Sequence, residues 1–177
     1  MNLLLEGEES NRLIFRKVSK SDFNAWLPFH QEPLSSRYFA GENSEPDVAC
    51  RNWFTKVFTR YENKLGGLNA LISKDSGQLI GMCGLLIQTV DEIQELEIGY
   101  SILPEYWKKG YASEAAKKCK SYAFDRKLAE SIISIIHIDN IGSQKVALNN
   151  GMHLDKTTTY KGIPVHIFRV QIRKRIA

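Results

Sequence analysis

The sequence predicts an α/β protein of the α+β type: a single mixed, mostly antiparallel twisted sheet of about seven strands, flanked by about four helices. Two observations predict it. Strand-like and helix-like segments follow one another in the order β-α-α-β-β-β-α-β-α-β-β. Within that order, three consecutive strands form an antiparallel meander, while the helices around 131–137 supply the crossovers that parallel pairing requires.

Residues 12–18, R-L-I-F-R-K-V, are rich in branched and aromatic side chains and form the first strand; Ser19 and Ser21 then offer caps for a short helix. The second helix is expected to start from an S-x-x-D capping box, Ser44-Glu45-Pro46-Asp47. Its apolar stripe of Cys50, Trp53, Phe54, Val57, Phe58 and Tyr61 has helical spacing and reads as core. Gly66-Gly67 is expected to end it. L-N-A-L-I-S (68–73) and L-I-G-M-C-G-L-L-I-Q-T-V (79–90) follow as a hairpin across K-D-S-G-Q. In 95–103 the residues alternate. Leu96, Ile98, Tyr100 and Ile102 are expected on a core face, and Glu95, Glu97, Gly99 and Ser101 on an open one. A helix begins near Ala112 with Ala115, Ala116, Cys119, Tyr122 and Ala123 inward. S-I-I-S-I-I-H (131–137) is a strand, a short helix spans about 142–150, and Gly151 suits its C′ position. Strands 153–160 and 165–173 close the chain as a hairpin around K-G-I-P.

The chain has 177 residues, 43% hydrophobic and 25% charged, which suits one domain, 1–177, with no long disordered segment. Lys and Arg number 24 against 20 Asp and Glu, an excess that admits an anionic ligand but makes nucleic acid an unlikely partner. Cys50, Cys83 and Cys119 are far apart, with no C-x-x-C pair. They read as buried thiols of a reducing compartment and as no metal site. Leu3-Leu4-Leu5 is too short for a signal-peptide core or a membrane span, so a cytoplasmic location is expected.

Residues 106–115, Y-W-K-K-G-Y-A-S-E-A, sit between a strand and a helix. Such a helix N-terminus presents free amides to anions, and Gly110 lets backbone approach a ligand closely. Lys108 and Lys109 add positive charge. A plain basic surface turn is the alternative, and neither G-x-x-x-x-G-K-[ST] nor G-x-G-x-x-G occurs here.

The stretch E-L-E-I-G-Y-S-I-L-P-E-Y-W-K-K-G-Y-A-S-E-A, followed by H-I-D-N-I-G-S-Q-K-V-A-L-N-N-G-M, resembles the GNAT superfamily of N-acetyltransferases. Within it the resemblance is to the branch of the ribosomal-protein N-terminal acetyltransferases (RimJ/RimL-like). The motifs cover about residues 95–153 and the element order most of the chain. The resemblance implies a GNAT-like fold, acetyl-CoA as co-substrate, no metal, and an amine acceptor. Trp107, Lys109, Gly110, Tyr111 and Ala112 match the branch's pyrophosphate turn, with the backbone from Lys109 to Ser113 as its working part and the lysine charges secondary. The backbone of Ile102 and Leu103 would run beside the pantetheine arm. Asn140 matches an asparagine that contacts the cofactor, although capping is its ordinary use. Ser143 matches a serine near the CoA sulfur, against the alternative of a cap, and Lys145 is a minor candidate for a CoA phosphate. The tyrosine that often serves as general acid falls at Ala147 here, and any role of Asp155 is in doubt.

Acetyl transfer needs an unprotonated amine, a polarised thioester carbonyl and help for the departing thiolate. Glu97 is the candidate base, against the alternative of a solvated carboxylate on an open sheet face. A strand N–H at a bulge expected around Gly99–Ser101 would donate to the oxyanion. Freeing a lysine amine at pH 7.4 costs about 4 kcal/mol and an α-amine about 0.5, so one glutamate suits a peptide N-terminus better, with small-molecule amines still open. His30, His137, His153 and His166 are scattered; His137, near Asn140, reads as a satisfied strand-end histidine, against the alternative of a side chain facing the cleft. Two other classes compete: a catalytically inactive CoA-binding sensor, and nucleic-acid binding through Arg169, Arg173, Lys174 and Arg175, which read more simply as charges guarding an edge strand. Residues 28–46 and 61–67 are expected to select the acceptor; its identity and the oligomeric state, a homodimer among the options, stay open.

Overall fold

Alternating burial of Leu13 and Phe15 makes β1 (Leu13–Lys17) a one-sided strand, and its inner face meets two leucines that precede it, Leu3 and Leu5. The computed structural model describes residues 2–39 and 44–172. The chain continues through a 3-10 turn at Lys20–Asp22 into α1 (Phe23–Gln31), the single turn α2 (Pro33–Ser36) and α3 (Pro46–Glu62). It then forms β2 (Gly66–Ser73), β3 (Leu79–Val90) and β4 (Ile93–Ile102), followed by α4 (Tyr111–Asp125), β5 (Ser131–His137), α5 (Ile141–Asn149), β6 (His153–Tyr160) and β7 (Ile163–Gln171).

One seven-stranded sheet has the order β1-β2-β3-β4-β5-β7-β6. Every neighbouring pair is antiparallel except β4–β5. The mixed, mostly antiparallel sheet and the element order match the sequence prediction, the single turn α2 being the added helix. Among the described residues, no helix is long and apolar enough to cross a membrane. Cys50, Cys83 and Cys119 are buried free thiols, as expected.

Four local expectations need correction. The Ser44 capping box does not form: Pro46 takes the first helical position of α3 and Glu45 the N-cap, because the fixed φ of proline suits N1. Asp47 pairs with Arg51 one turn on. Gly66 and Gly67 lie in β2 and do not end the helix; a side chain at Gly66 would strike the Leu85 carbonyl on β3. The carboxylate face of β4 is not open. α1 and α3 cover it over β2 and β3 through Trp26, Phe29, Trp53, Phe54 and Met82, leaving Glu97 at 9% exposure.

Beyond β4 the same face is covered by the sheet itself. Val90 of β3 packs with Val165 and Ile167 of β7, and Asp91 bonds Lys156 and Thr158 of β6. These strands are separated in the order by β4 and β5, so the sheet rolls over on this side. The fourth correction concerns Arg169. It stands in β7, between β5 and β6 and not at an edge, and its guanidinium is spent on Glu95 at 2.7 Å and Asp155 at 2.9 Å. Those partners raise its pKa further and remove it as a nucleic-acid contact. Arg173, Lys174 and Arg175 lie outside the described residues.

Candidate active site

The two central strands touch at one place. β4 and β5 pair at a single register position, Glu97 opposite Ile133, and beyond it they part, leaving a wedge between the ends of both strands. The open edge of β4 is defined by its bonds. The Leu103 N–H is committed to Ile80 on β3, whereas the Ile98 carbonyl accepts from Ser134 Oγ at 2.9 Å and the Ile102 carbonyl from Trp107 Nε1 at 2.7 Å. Strand backbone alternates its hydrogen-bonding direction residue by residue, so Ile98, Tyr100 and Ile102 turn their backbone groups into the wedge and Leu103 does not. β3 and β4 pair without interruption from Gly81–Ile102 to Val90–Ile93. The bulge expected at Gly99–Ser101 is therefore absent; divergence from β5, not an extra residue, frees the Tyr100 N–H.

At the mouth of the wedge the turn 107–110 leads into α4. Gly110 is its N-cap with φ +81°, a left-handed conformation that favours glycine, and Lys108 is also left-handed at φ +60°. The first helical bond runs from the Glu114 N–H to the Gly110 carbonyl at 3.1 Å. The amides of Tyr111, Ala112 and Ser113 precede it and point outward as an anion-binding end. Lys108 and Lys109 are exposed beside it, Lys109 with its ammonium 5.3 Å from the Tyr106 ring centroid.

Arg12, just before β1, braces this turn. It donates to the Lys109 carbonyl at 3.0 Å, pairs with Glu114 at 2.6 Å and stacks 4.1 Å over the Tyr111 ring. Against the opposing effect of burial, hydrogen bonds from Ser10 and Arg12 hold the Glu114 carboxyl below its ordinary pKa.

The other wall of the mouth is α5. Asn140 is its N-cap, with Oδ1 accepting the Ser143 amide at 3.1 Å. Tyr100 reaches across from β4 and donates its hydroxyl to the Ser143 carbonyl at 2.8 Å, while the Ser143 hydroxyl makes no bond among the described residues. Lys145 is exposed and unpaired among them, and Ala147 is buried in the core.

Glu97 occupies the apex where the strands part. Its carboxylate accepts from Gln88 Nε2 at 2.7 Å and from the Ile135 amide, with the Arg60 and Lys161 charges nearby. Burial raises its pKa, and the Gln88 bond, the Ile135 amide and the two cations only partly offset that. Gln88 is itself held by Tyr160, whose hydroxyl donates to Oε1 at 3.0 Å. An open hollow of about 440 Å³ adjoins this group, lined by Leu65, Gln88, Thr89, Gln94, Tyr160 and Lys161. On the opposite flank Tyr38 packs its ring, tilted, against His137 with centroids 5.1 Å apart and donates to the Asp139 carbonyl at 3.2 Å. Part of each segment expected to select the acceptor thus borders this region; residues 40–43 of the first lie outside the described ones. His137 Nδ1 accepts the Asp139 amide at 3.1 Å. Among the described residues no cluster of His, Cys, Asp or Glu could hold a metal.

The structure thus gathers Glu97, Ile102, Lys108–Ser113, Asn140 and Ser143 around one wedge. Arg12, Gln88, Tyr100 and Tyr160 escaped sequence reasoning, because each acts through a partner at least nine positions away or in another element. One signal was available: Gln88 is a polar residue closing a long apolar strand run.

Comparison with known proteins gives the family and the fold. Residues 12–153 match the family model described as acetyltransferase (GNAT) domain. The protein named N-acetyltransferase YoaA of Bacillus subtilis (strain 168) is 29% identical over 143 residues, covering 81% of this chain and 80% of that protein. An acetyltransferase from Agrobacterium tumefaciens superposes with a TM-score of 0.79 at 21% identity, covering 97% of both chains. RimL, a ribosomal L7/L12 alpha-N-protein acetyltransferase solved with coenzyme A, gives 0.75 at 14% identity, covering 94% of this chain and 97% of that one. The two structural likenesses concern the fold.

Proposed function

The chain belongs to the GNAT acetyltransferase family, and from that premise we propose that it transfers the acetyl group of acetyl-CoA directly to a peptide N-terminal α-amine within a ternary complex. The observation that carries this reading is the position of one buried glutamate, Glu97, at the apex of a wedge whose mouth is a helix N-terminus.

In this reading the amides of Tyr111, Ala112 and Ser113 hold the pyrophosphate, and Lys108 and Lys109 add long-range attraction. The cradle fits such a group, because Gly110 leaves the approach clear of a side chain in a conformation other residues disfavour. The backbone of Tyr100 and Ile102 lies along the pantetheine arm as an added strand would, and the Tyr100 N–H supports the carbonyl oxygen as charge develops. The Ser143 hydroxyl donates to the departing thiolate. Glu97 takes the amine proton, directly or through water.

The acceptor follows from the base. A lone carboxyl raised by burial is a stronger base than an ordinary glutamate, and a lysine amine of reference pKa near 10.4 would ask the most of it. An α-amine near 7.8 is already partly neutral at physiological pH, so it asks less of Glu97. The test is CoA thiol release with acetyl-CoA and a panel of peptides, polyamines and aminoglycosides. Turnover on free N-terminal peptides, lost when that terminus is blocked, is expected. Turnover confined to small amines would overturn the acceptor assignment, and acetylation of the protein itself as an obligatory step would overturn direct transfer.

A further inference from the structure

Two hydrogen bonds lead from the β6–β7 hairpin to the candidate base. The Tyr160 hydroxyl donates to Gln88 Oε1 at 3.0 Å, and Gln88 Nε2 donates to Glu97 Oε2 at 2.7 Å. The two bonds use opposite ends of one amide, and the carboxylate end fixes its orientation: a flipped Gln88 would set its oxygen against the Glu97 carboxylate, while the Tyr160 hydroxyl can serve either end. Gln88 stands on β3, beside Glu95, and Tyr160 at the end of β6, with three strands between them in the sheet order. Only the roll of the sheet brings them together. Gln88 and Tyr160 also line the open hollow beside the site, whereas Glu97 does not.

We infer that Gln88 is a positioning residue for the transfer reaction, aiming the Glu97 carboxylate, and that Tyr160 locks Gln88 so that the seat of the β6–β7 hairpin governs the readiness of the base. This inference rests on the reading of Glu97 as the base. A carboxylate on two methylenes explores several rotamers, and one charge-assisted bond from a fixed donor selects one of them. The groups facing Glu97 are Gln88 from β3, Arg60 from α3, Tyr160 from β6, Lys161 from the following turn and the Ile135 amide from β5, while Tyr100, on the other face of its own strand, feels the Glu97 charge through the sheet. Glu95, two residues before it, has its charge absorbed by Arg169.

The sign is fixed by these contacts. The Gln88 bond favours the ionised carboxylate and so lowers the Glu97 pKa against the larger effect of burial. Removing it raises that pKa and moves the acid limb of the kcat/KM profile to higher pH. Gln88→Met keeps the side-chain length and removes both bonds; Tyr160→Phe keeps the ring and removes only the lock. For Gln88→Met the acid limb is expected to rise by about half a pH unit or more, with kcat falling about tenfold at neutral pH and acetyl-CoA affinity by calorimetry unchanged. Tyr160→Phe should move the limb the same way by less. If both variants keep the wild-type limb while Glu97→Gln has lost turnover, Gln88 has no positioning role and the inference falls alone. If Glu97→Gln retains turnover, the base assignment falls and takes the inference with it.

Discussion

Arg12 and Glu114 meet at 2.6 Å, joining the residue before the first strand to the first turn of the helix that forms the anion cradle. The same guanidinium holds the Lys109 carbonyl and lies over Tyr111, so one side chain fixes the turn on three sides. Hydrogen bonds to charged groups contribute about 1.5–3 kcal/mol each. Arg12→Ala is therefore expected to weaken acetyl-CoA binding by about tenfold or more, through a loosened turn and a lost nearby cation. At saturating acetyl-CoA, kcat should hold. Calorimetry against steady-state kinetics checks the split; a fall in kcat with unchanged affinity would detach Arg12 from the cradle.

Gly110 supplies a sharper test of the same end of the site. Its φ of +81° costs a residue with a side chain about 1–2 kcal/mol, and an added Cβ would have only the Arg12 guanidinium within reach, at 3.5 Å. Gly110→Ala should therefore fold, with a modest loss of affinity. Gly110→Asp adds a like charge at the place proposed for the pyrophosphate and should abolish measurable binding. Unchanged affinity in the aspartate variant would sink the cradle.

Glu97 links activity to stability in opposite senses. Burial raises its folded-state pKa above the ordinary value of 4.5. The folded state then binds more protons than the unfolded one between those values, so this group lowers stability as pH rises through that window. Glu97→Gln is expected to raise Tm at neutral pH while cutting kcat about a hundredfold or more, with acetyl-CoA affinity unchanged. The wild-type kcat/KM should climb with pH along an acid limb above the usual glutamate range, and the variant should lack that limb. Wild-type turnover in the variant would remove Glu97 as base.

Periodicity made the sheet and helices legible, because the Leu96–Ile102 alternation and the Ala115–Tyr122 stripe each bury one face. It misjudged the other face of β4 for a physical reason: whether Glu97 meets water depends on α1, α3 and the rolled β6–β7 hairpin, all distant in sequence. The turn at 107–113 was legible because its parts are contiguous. The single β4–β5 pairing, which opens the wedge, was not, since strand divergence leaves no local residue pattern. Arg169 shows the same limit: one more basic residue near the chain end in sequence, it is in the fold a cation held by two carboxylates.

His30 gives the fold its own acid sensitivity. Only 6% exposed, its ring lies among Phe29 at 5.3 Å and Trp53 at 5.5 Å. Burial, with the Lys56 charge as a smaller contribution, lowers its pKa from 6.5 to about 4. A depressed histidine contributes stability that is complete above the unfolded value and is lost as pH falls from about 6.5 through about 4, up to about 3 kcal/mol at 1.36 kcal/mol per unit. Asp22 acts lower still: against the effect of burial, the Arg16 pair holds its carboxyl below 3.8, so its loss comes only in stronger acid. Glu97 works in the opposite direction over part of the histidine window, which makes the wild-type curve alone ambiguous. Comparison with His30→Gln cancels the Glu97 contribution. Urea midpoints between pH 7 and pH 4.5 are expected to fall more steeply for the wild type than for the variant, and parallel curves would assign the acid loss to groups other than His30.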